Sequence, residues 1–154
     1  MKLATLLYIT NGSGDYLLMK REREPNKGLL SPPGGKLHAE EAESPLVCAV
    51  REAFEECSMR TTPDDWQFKG IVTEKNYPGA GNIMIFLMEY KHAIDELPPP
   101  CNEGAFEFIK EDDIMKSAIP ETDRKFIWDM VLESRNQPFI VTLDCTDYPD
   151  IMLI

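Results

Sequence analysis

Val50-Arg51-Glu52-Ala53-Phe54-Glu55-Glu56-Cys57-Ser58-Met59 places three glutamates at helical spacing behind an arginine. Residues three and four apart on a helix share a face, so Glu52, Glu55 and Glu56 would form one acidic stripe, and like charges so spaced repel. Most Glu-Glu pairs on helices are simply solvated. The surroundings of this one argue otherwise. Ser31–Lys36 reads SPPGGK, a glycine-rich turn, and Ala39–Glu43 reads AEEAE. Ser44-Pro45 then supplies a capping hydroxyl and a proline suited to the first helical position. Leu46, Val47, Val50 and Phe54 continue with apolar residues at helical spacing. A loop with glycines followed by a helix with carboxylates on one face suits a hard cation. Mg²⁺ takes oxygen ligands, keeps several waters, and is commonly shared between carboxylates and substrate phosphates.

Working outward, Lys2–Ile9 and Tyr16–Arg21 read as strands joined by a turn containing NGSGD, a hairpin pattern. Trp66–Lys75 and Asn82–Lys91 are strand-like around NYPGAG, and Ala105–Lys110 alternates as a short strand. EDDIMKS suggests a short helix and Glu121–Ser134 a longer amphipathic one. Phe139–Asp144 and Ile151–Ile154 close the chain as strands. Strands with helices between them predict an α/β or α+β sandwich.

The 154 residues fit one domain, 1–154, with 43% hydrophobic and 28% charged residues. No apolar run approaches the ~18 residues of a membrane span. The N-terminal apolar stretch lacks a signal-peptide pattern and reads as a strand. Cys48, Cys57, Cys101 and Cys145 are widely spaced and His38 and His92 are the only histidines, which excludes clustered zinc ligands and fits reduced thiols in a cytoplasmic protein. A net charge of -11 argues against a nucleic-acid polymer as partner. It leaves room for a small phosphorylated ligand bridged to carboxylates by divalent cations.

Gly35, Glu43 and the run Arg51-Glu52-Ala53-Phe54-Glu55-Glu56 resemble the box that marks Nudix hydrolases such as MutT. Seven residues separate Glu43 from Arg51 as that box requires, the REAFEE core matches at every specified position, and Met59 fills the final apolar place. Two departures stand out. Seven residues instead of five separate Gly35 from Glu43, a two-residue insertion in the loop KLHAEEA. Ser58 replaces the glycine that ends the helix in a left-handed conformation, which serine adopts only at a cost. The segments LLMKREREPNKGLLSPPGGK, NEGAFEFIKEDDI and ETDRKFIWDMVL extend the resemblance over most of the chain.

The resemblance implies a Nudix fold, a mixed β-sheet sandwiched between helices (α/β/α), and a diphosphate-cleaving enzyme in which water attacks phosphorus. It assigns Mg²⁺, with Mn²⁺ as a substitute, to Glu52, Glu55, Glu56 and the Gly35 carbonyl. Glu52 or Glu103 would orient or deprotonate water, and Arg51 would organise the site by pairing with Glu43, Gly34 being structural in the motif. Arg21, Ser31, Lys36 and Asp123 or Glu121 fall where a nucleotide would be held; Lys36 also reads as a solvated lysine. Relatives often carry tryptophan at the place of Leu30, which weakens the case for purine recognition. The expected substrate is a nucleoside triphosphate, including an oxidised purine of the 8-oxo-dGTP type, cleaved to monophosphate and pyrophosphate. The alternative is a nucleoside diphosphate linked to another moiety, such as ADP-ribose. A third reading, a Nudix-fold binding module without turnover, would usually show a missing glutamate in REAFEE, and all three are present. The resemblance also allows a homodimer. His38 is expected exposed, Trp66 a packing anchor, and Trp128, at the margin of its helical arc, half-buried.

Overall fold

The computed structural model describes residues 1–134 and 136–154. Among the described residues nine strands form one mixed sheet. β1 (Lys2–Asn11) is its centre and is buried on both faces, as its nearly unbroken apolar run requires. It runs parallel to β6 (Gly81–Ile94), with Lys2 opposite Ile83 and Leu7 opposite Met88. β6 pairs antiparallel with β5 (Trp66–Tyr77), and β5 pairs parallel with β8 (Phe139–Asp147). β9 (Asp150–Leu153) forms the outer edge beside β8.

The expected hairpin between β1 and β2 (Tyr16–Arg21) exists only at its turn, where Thr10 faces Tyr16. Beyond that point the strands splay. β2 takes new partners in β3 (Leu30–Ser31) and β7 (Gly104–Ile109), and β1 takes β4 (Gly34–Lys36). The opened wedge between them is where a ligand can enter.

One apolar cluster, including Tyr8, Leu18, Leu87, Trp128 and Leu143, lies on one face of the sheet. A second, including Leu7, Ile9, Leu17 and Met88, lies under α1 (Pro45–Cys57) on the other. The layers are therefore helix, sheet, helix. After the four-residue α2 (Glu111–Ile114), the C-terminal helical segment widens to a π-helical turn over Asp123–Ile127 before α3 (Trp128–Glu133). Trp128 is fully buried instead of half-buried. Tyr8 and Tyr16 pack edge-on against it at 5.2 and 5.0 Å, because the widened turn rotates the tryptophan into the core. Trp66 is a packing anchor as expected, and His38 is exposed. All four cysteines are free thiols. Among the described residues no helix is long and apolar enough to cross a membrane.

The helix carrying the acidic stripe sits differently from what its large apolar residues suggest. Leu46, Val47 and Phe54 are 38, 49 and 50% exposed. The packed face is made of Cys48, Ala49, Ala53 and Cys57. Small side chains let the helix lie close to the sheet, and that orientation carries Glu52 and Glu56 inward with them.

Candidate active site

Two glycines bring the loop to the helix. β4 pairs with β1 so closely that a Cβ on Gly34 would sit 2.1 Å from the Thr5 carbonyl oxygen. On Gly35 a Cβ would lie 2.2 Å from Glu52 Oε1. Any side chain here would displace either the sheet or the carboxylate. The Ser44 hydroxyl caps α1 by accepting from the Val47 N–H at 3.2 Å. The helix ends with Ser58 in the left-handed region at φ 55°, its N–H donating to the Phe54 carbonyl at 3.1 Å.

Arg51 organises the acidic wall. Its guanidinium donates to both oxygens of Glu43, Nε to Oε2 at 2.7 Å and Nη2 to Oε1 at 2.9 Å. Nη1 donates to Glu52 at 2.9 Å and Glu55 at 3.1 Å, and Nη2 also reaches the Lys36 carbonyl at 2.9 Å. Planar geometry with five donors is what lets one arginine hold a carboxylate bidentately and a loop carbonyl at once. The Arg51 hydrogen bonds, helped by the His38 N–H, hold Glu43 at a pKa of about 2. The two-residue insertion is absorbed in a short 3-10 turn at Ala39–Glu41, closed by Ala42 in the left-handed region, so Glu43 still arrives at Arg51.

Glu56 is 9% exposed and accepts one hydrogen bond, from the Gly34 N–H at 3.2 Å. Burial, and then the nearby charge of Glu52, push it up to about 8. Burial also raises Glu52, against the pull of Arg51. Glu55 is the exposed member of the stripe. Two buried carboxyls without full compensation by protein cations favour a positive charge beside them. Among the described residues no three acidic or histidine side chains converge as a ready-made metal cage. A hard cation that keeps its waters does not need one: Glu52, Glu55 and Glu56 are the carboxylates that could hold it. The Gly35 carbonyl accepts only long contacts, from Thr5 Oγ1 at 3.5 Å and Cys48 Sγ at 3.9 Å.

These groups form one wall of a cleft of about 1110 Å³. The same cleft is lined by Arg21, Ser31, Lys36, Glu103 and Asp123, so all the site residues read from the sequence except Glu43 and Glu121 border it; Glu43 stands behind Arg51. Arg21 donates from Nε to the Pro25 carbonyl at 2.8 Å and stands 3.8 Å from Glu103. Ser31 is buried on β3, and the Lys36 side chain is exposed at the rim. Asp123 is buried, pushed up to about 8 by burial and the neighbouring charge of Glu74. Glu74 is the residue that sequence reading missed. Its signal is alternation: Val72 and Glu74 share the inward face of β5, which puts a glutamate where a strand normally buries an apolar side chain.

A family model described as the NUDIX domain matches residues 1–130. Among solved structures, the fold resembles the mutator MutT protein of Bacillus halodurans at 24% identity and a TM-score of 0.78, covering 100% of this chain and 95% of that one. The MutT protein of Methanosarcina mazei Go1 aligns at 18% identity over 85% and 90% of the two chains, TM-score 0.69. The NUDIX domain of Shewanella oneidensis NrtR, complexed with ADP ribose, aligns at 15% identity over 85% and 86%, TM-score 0.68.

Proposed function

The chain belongs to the Nudix family of pyrophosphohydrolases, and from that premise we propose that it is a Mg²⁺-dependent hydrolase of a nucleoside triphosphate, releasing a monophosphate and pyrophosphate in the cytoplasm. The observation that carries this reading is the division of one cleft. Its lining includes the carboxylates Glu52, Glu55 and Glu56 on one helix and, from other elements, the apolar Leu6, Ile83 and Ile85 with the buried Asp123. A triphosphate laid along the cleft would put its anionic part against the acidic wall and its ring against the apolar side chains.

Glu52, Glu55 and Glu56 would hold the cation, which supplies neutralisation of phosphate charge and polarisation of the attacked phosphorus. Arg51 keeps Glu52 and Glu55 oriented, and Glu43 holds Arg51 in place. Glu103 or Glu52 would take a proton from attacking water. Arg21, beside Glu103, and Lys36 at the rim are the cations available to phosphate oxygens.

The test is product analysis over ordinary and 8-oxo-purine nucleoside triphosphates, ADP-ribose and dinucleoside polyphosphates, with and without Mg²⁺. Preferential release of pyrophosphate from a triphosphate is expected, and chelation should abolish it. The second reading, cleavage of a nucleoside diphosphate linked to another moiety, is favoured by the ADP-ribose complex of the similar Shewanella domain. Monophosphate from ADP-ribose alone would establish that one instead.

A further inference from the structure

The ridge of α1 that carries Glu52 and Glu56 begins one turn earlier, at Cys48, since every fourth residue recurs on the same side of a helix. Facing it is Thr5, the polar member of the β1 side that continues in Leu7 and Ile9 toward α1. Both side chains are buried, Thr5 with 1% and Cys48 with 0% exposure. They meet at 3.5 Å, Oγ1 to Sγ, and both touch the backbone of β4. Thr5 Oγ1 lies 3.5 Å from the Gly35 carbonyl oxygen. Cys48 Sγ lies 3.9 Å from that oxygen and 3.8 Å from the Lys36 carbonyl. Arg51 Nη2 donates to the same sulfur at 3.6 Å while holding the Lys36 carbonyl at 2.9 Å.

A thiol is a weak donor and a weak acceptor, so each contact is slight and the arrangement matters more than any one of them. Burial raises the Cys48 thiol above its ordinary range, so its sulfur carries a proton to donate. The hydroxyl and the thiol together bring two protons to the Gly35–Lys36 peptide, and Arg51 brings a third. That peptide in turn abuts the acidic wall. Glu52 Oε1 stands between Arg51 Nη1 at 2.9 Å and the Gly35 backbone, which leaves no room even for a methyl group. An apolar pair of the same size would fill the gap between β1 and α1 without donating anything to the loop.

We propose that Thr5 and Cys48 are positioning residues for the cation site, a buried polar pair that fixes the Gly35–Lys36 peptide against α1 and so sets the Gly35 carbonyl and Glu52. This deepens the reading of Glu52, Glu55, Glu56 and the Gly35 carbonyl as cation ligands and rests on it.

The experiment is titration of the whole protein with Mn²⁺, without nucleotide, followed by the electron paramagnetic resonance of the free ion and repeated with Mg²⁺ as competitor. Thr5→Val keeps the shape and loses the hydroxyl. It should weaken cation binding by about 10-fold or more, the usual scale for groups that support metal ligands. Thr5→Ser keeps the oxygen and loses a methyl group, and it should bind as the wild type does. A pair that only fills space predicts the reverse order. Cys48→Ala should also lose about 10-fold or more, and it serves if Thr5→Val does not fold. Because the two groups act as one unit, the double variant should lose little more than the worse single one, whereas independent contributions would multiply to about 100-fold. Wild-type affinity in both Thr5→Val and Cys48→Ala, a loss in Thr5→Ser equal to that in Thr5→Val, or a multiplied loss in the double variant would each overturn the proposal. Wild-type protein that takes up no Mn²⁺ overturns the cation reading and this pair with it. Uptake by the wild type with unaffected variants overturns the positioning role alone.

Discussion

Arg51 makes five hydrogen bonds to oxygen within the acidic wall, to Glu43, Glu52, Glu55 and the Lys36 carbonyl. A lysine would keep the charge and lose the fork. Arg51→Lys is expected to lower kcat/KM by about 10-fold or more, because the supports of metal-binding groups are typically worth 10–100-fold in affinity or activity. Saturating Mg²⁺ should recover part of the loss, and a variant with unchanged Mg²⁺ dependence would show that Arg51 does not position the wall. Glu56→Gln preserves shape and the acceptor for the Gly34 N–H while removing the charge. A fall in turnover of at least ~10²-fold is expected, the scale of losing one preorganised electrostatic group. Near-normal rates would remove Glu56 from the metal ligands. The Glu43–Arg51 pairing was legible in the spacing of the box. Glu74 was missed although its alternation with Val72 marks it, because which face of a strand turns inward is settled only by its pairing.

On the scale of elements, α1 shows how a readable pattern can still mislead about orientation. Capping by Ser44, the proline at the first position and the end at Ser58 all follow from residue chemistry. Which face turns inward does not follow from hydrophobicity here: Ala49, Ala53 and Cys57 win over Leu46, Val47 and Phe54 because only small side chains fit the short helix-to-sheet gap. The residue at the C-terminal end offers a clean test. Ser58 pays for a positive φ that glycine adopts freely. Ser58→Gly is expected to stabilise the protein by about 0.5–1 kcal/mol, an increase in Tm of ~1–4 °C by calorimetry, with activity unchanged. A lower Tm would mean that the serine contributes something its backbone geometry does not show. The π-helical turn at Asp123–Ile127 was likewise invisible in an amphipathic pattern that predicted a continuous helix.

For the molecule as a whole, the titrating groups impose opposite pH limits on stability. Glu43, held at about 2, contributes stability that is present above the ordinary carboxylate range and lost as pH falls toward 2. Glu56, Glu74 and Asp123 have raised values of about 8, 7 and 8, so their contribution is complete below the ordinary range and lost as pH rises through 7 to 8. Without divalent cation, Tm should therefore be highest near pH 5 and fall by several degrees by pH 8.5. Mg²⁺ should restore part of that loss by neutralising Glu56 but not Glu74 or Asp123. A metal-free Tm that is flat across this range would show that these carboxyls are not buried as described. The order of helices and strands and the location of the acidic wall could be read from one dimension. The splaying of β1 from β2, which opens the cleft, could not, since a hairpin signal reports the turn and says nothing of how soon the strands part.

That central strand also has a cost in time. β1 finds its parallel partner only when residues 83–94 exist, and a ribosome adding ~5–20 residues per second needs on the order of 4–17 s to make the intervening chain. Throughout that interval Leu7, Tyr8 and Ile9, which end fully enclosed, have only the turn to β2 and the three-residue β4 beside them. Until then the nascent β1 is a largely unpaired apolar strand, the kind of segment that chaperones capture and that neighbouring nascent chains can trap.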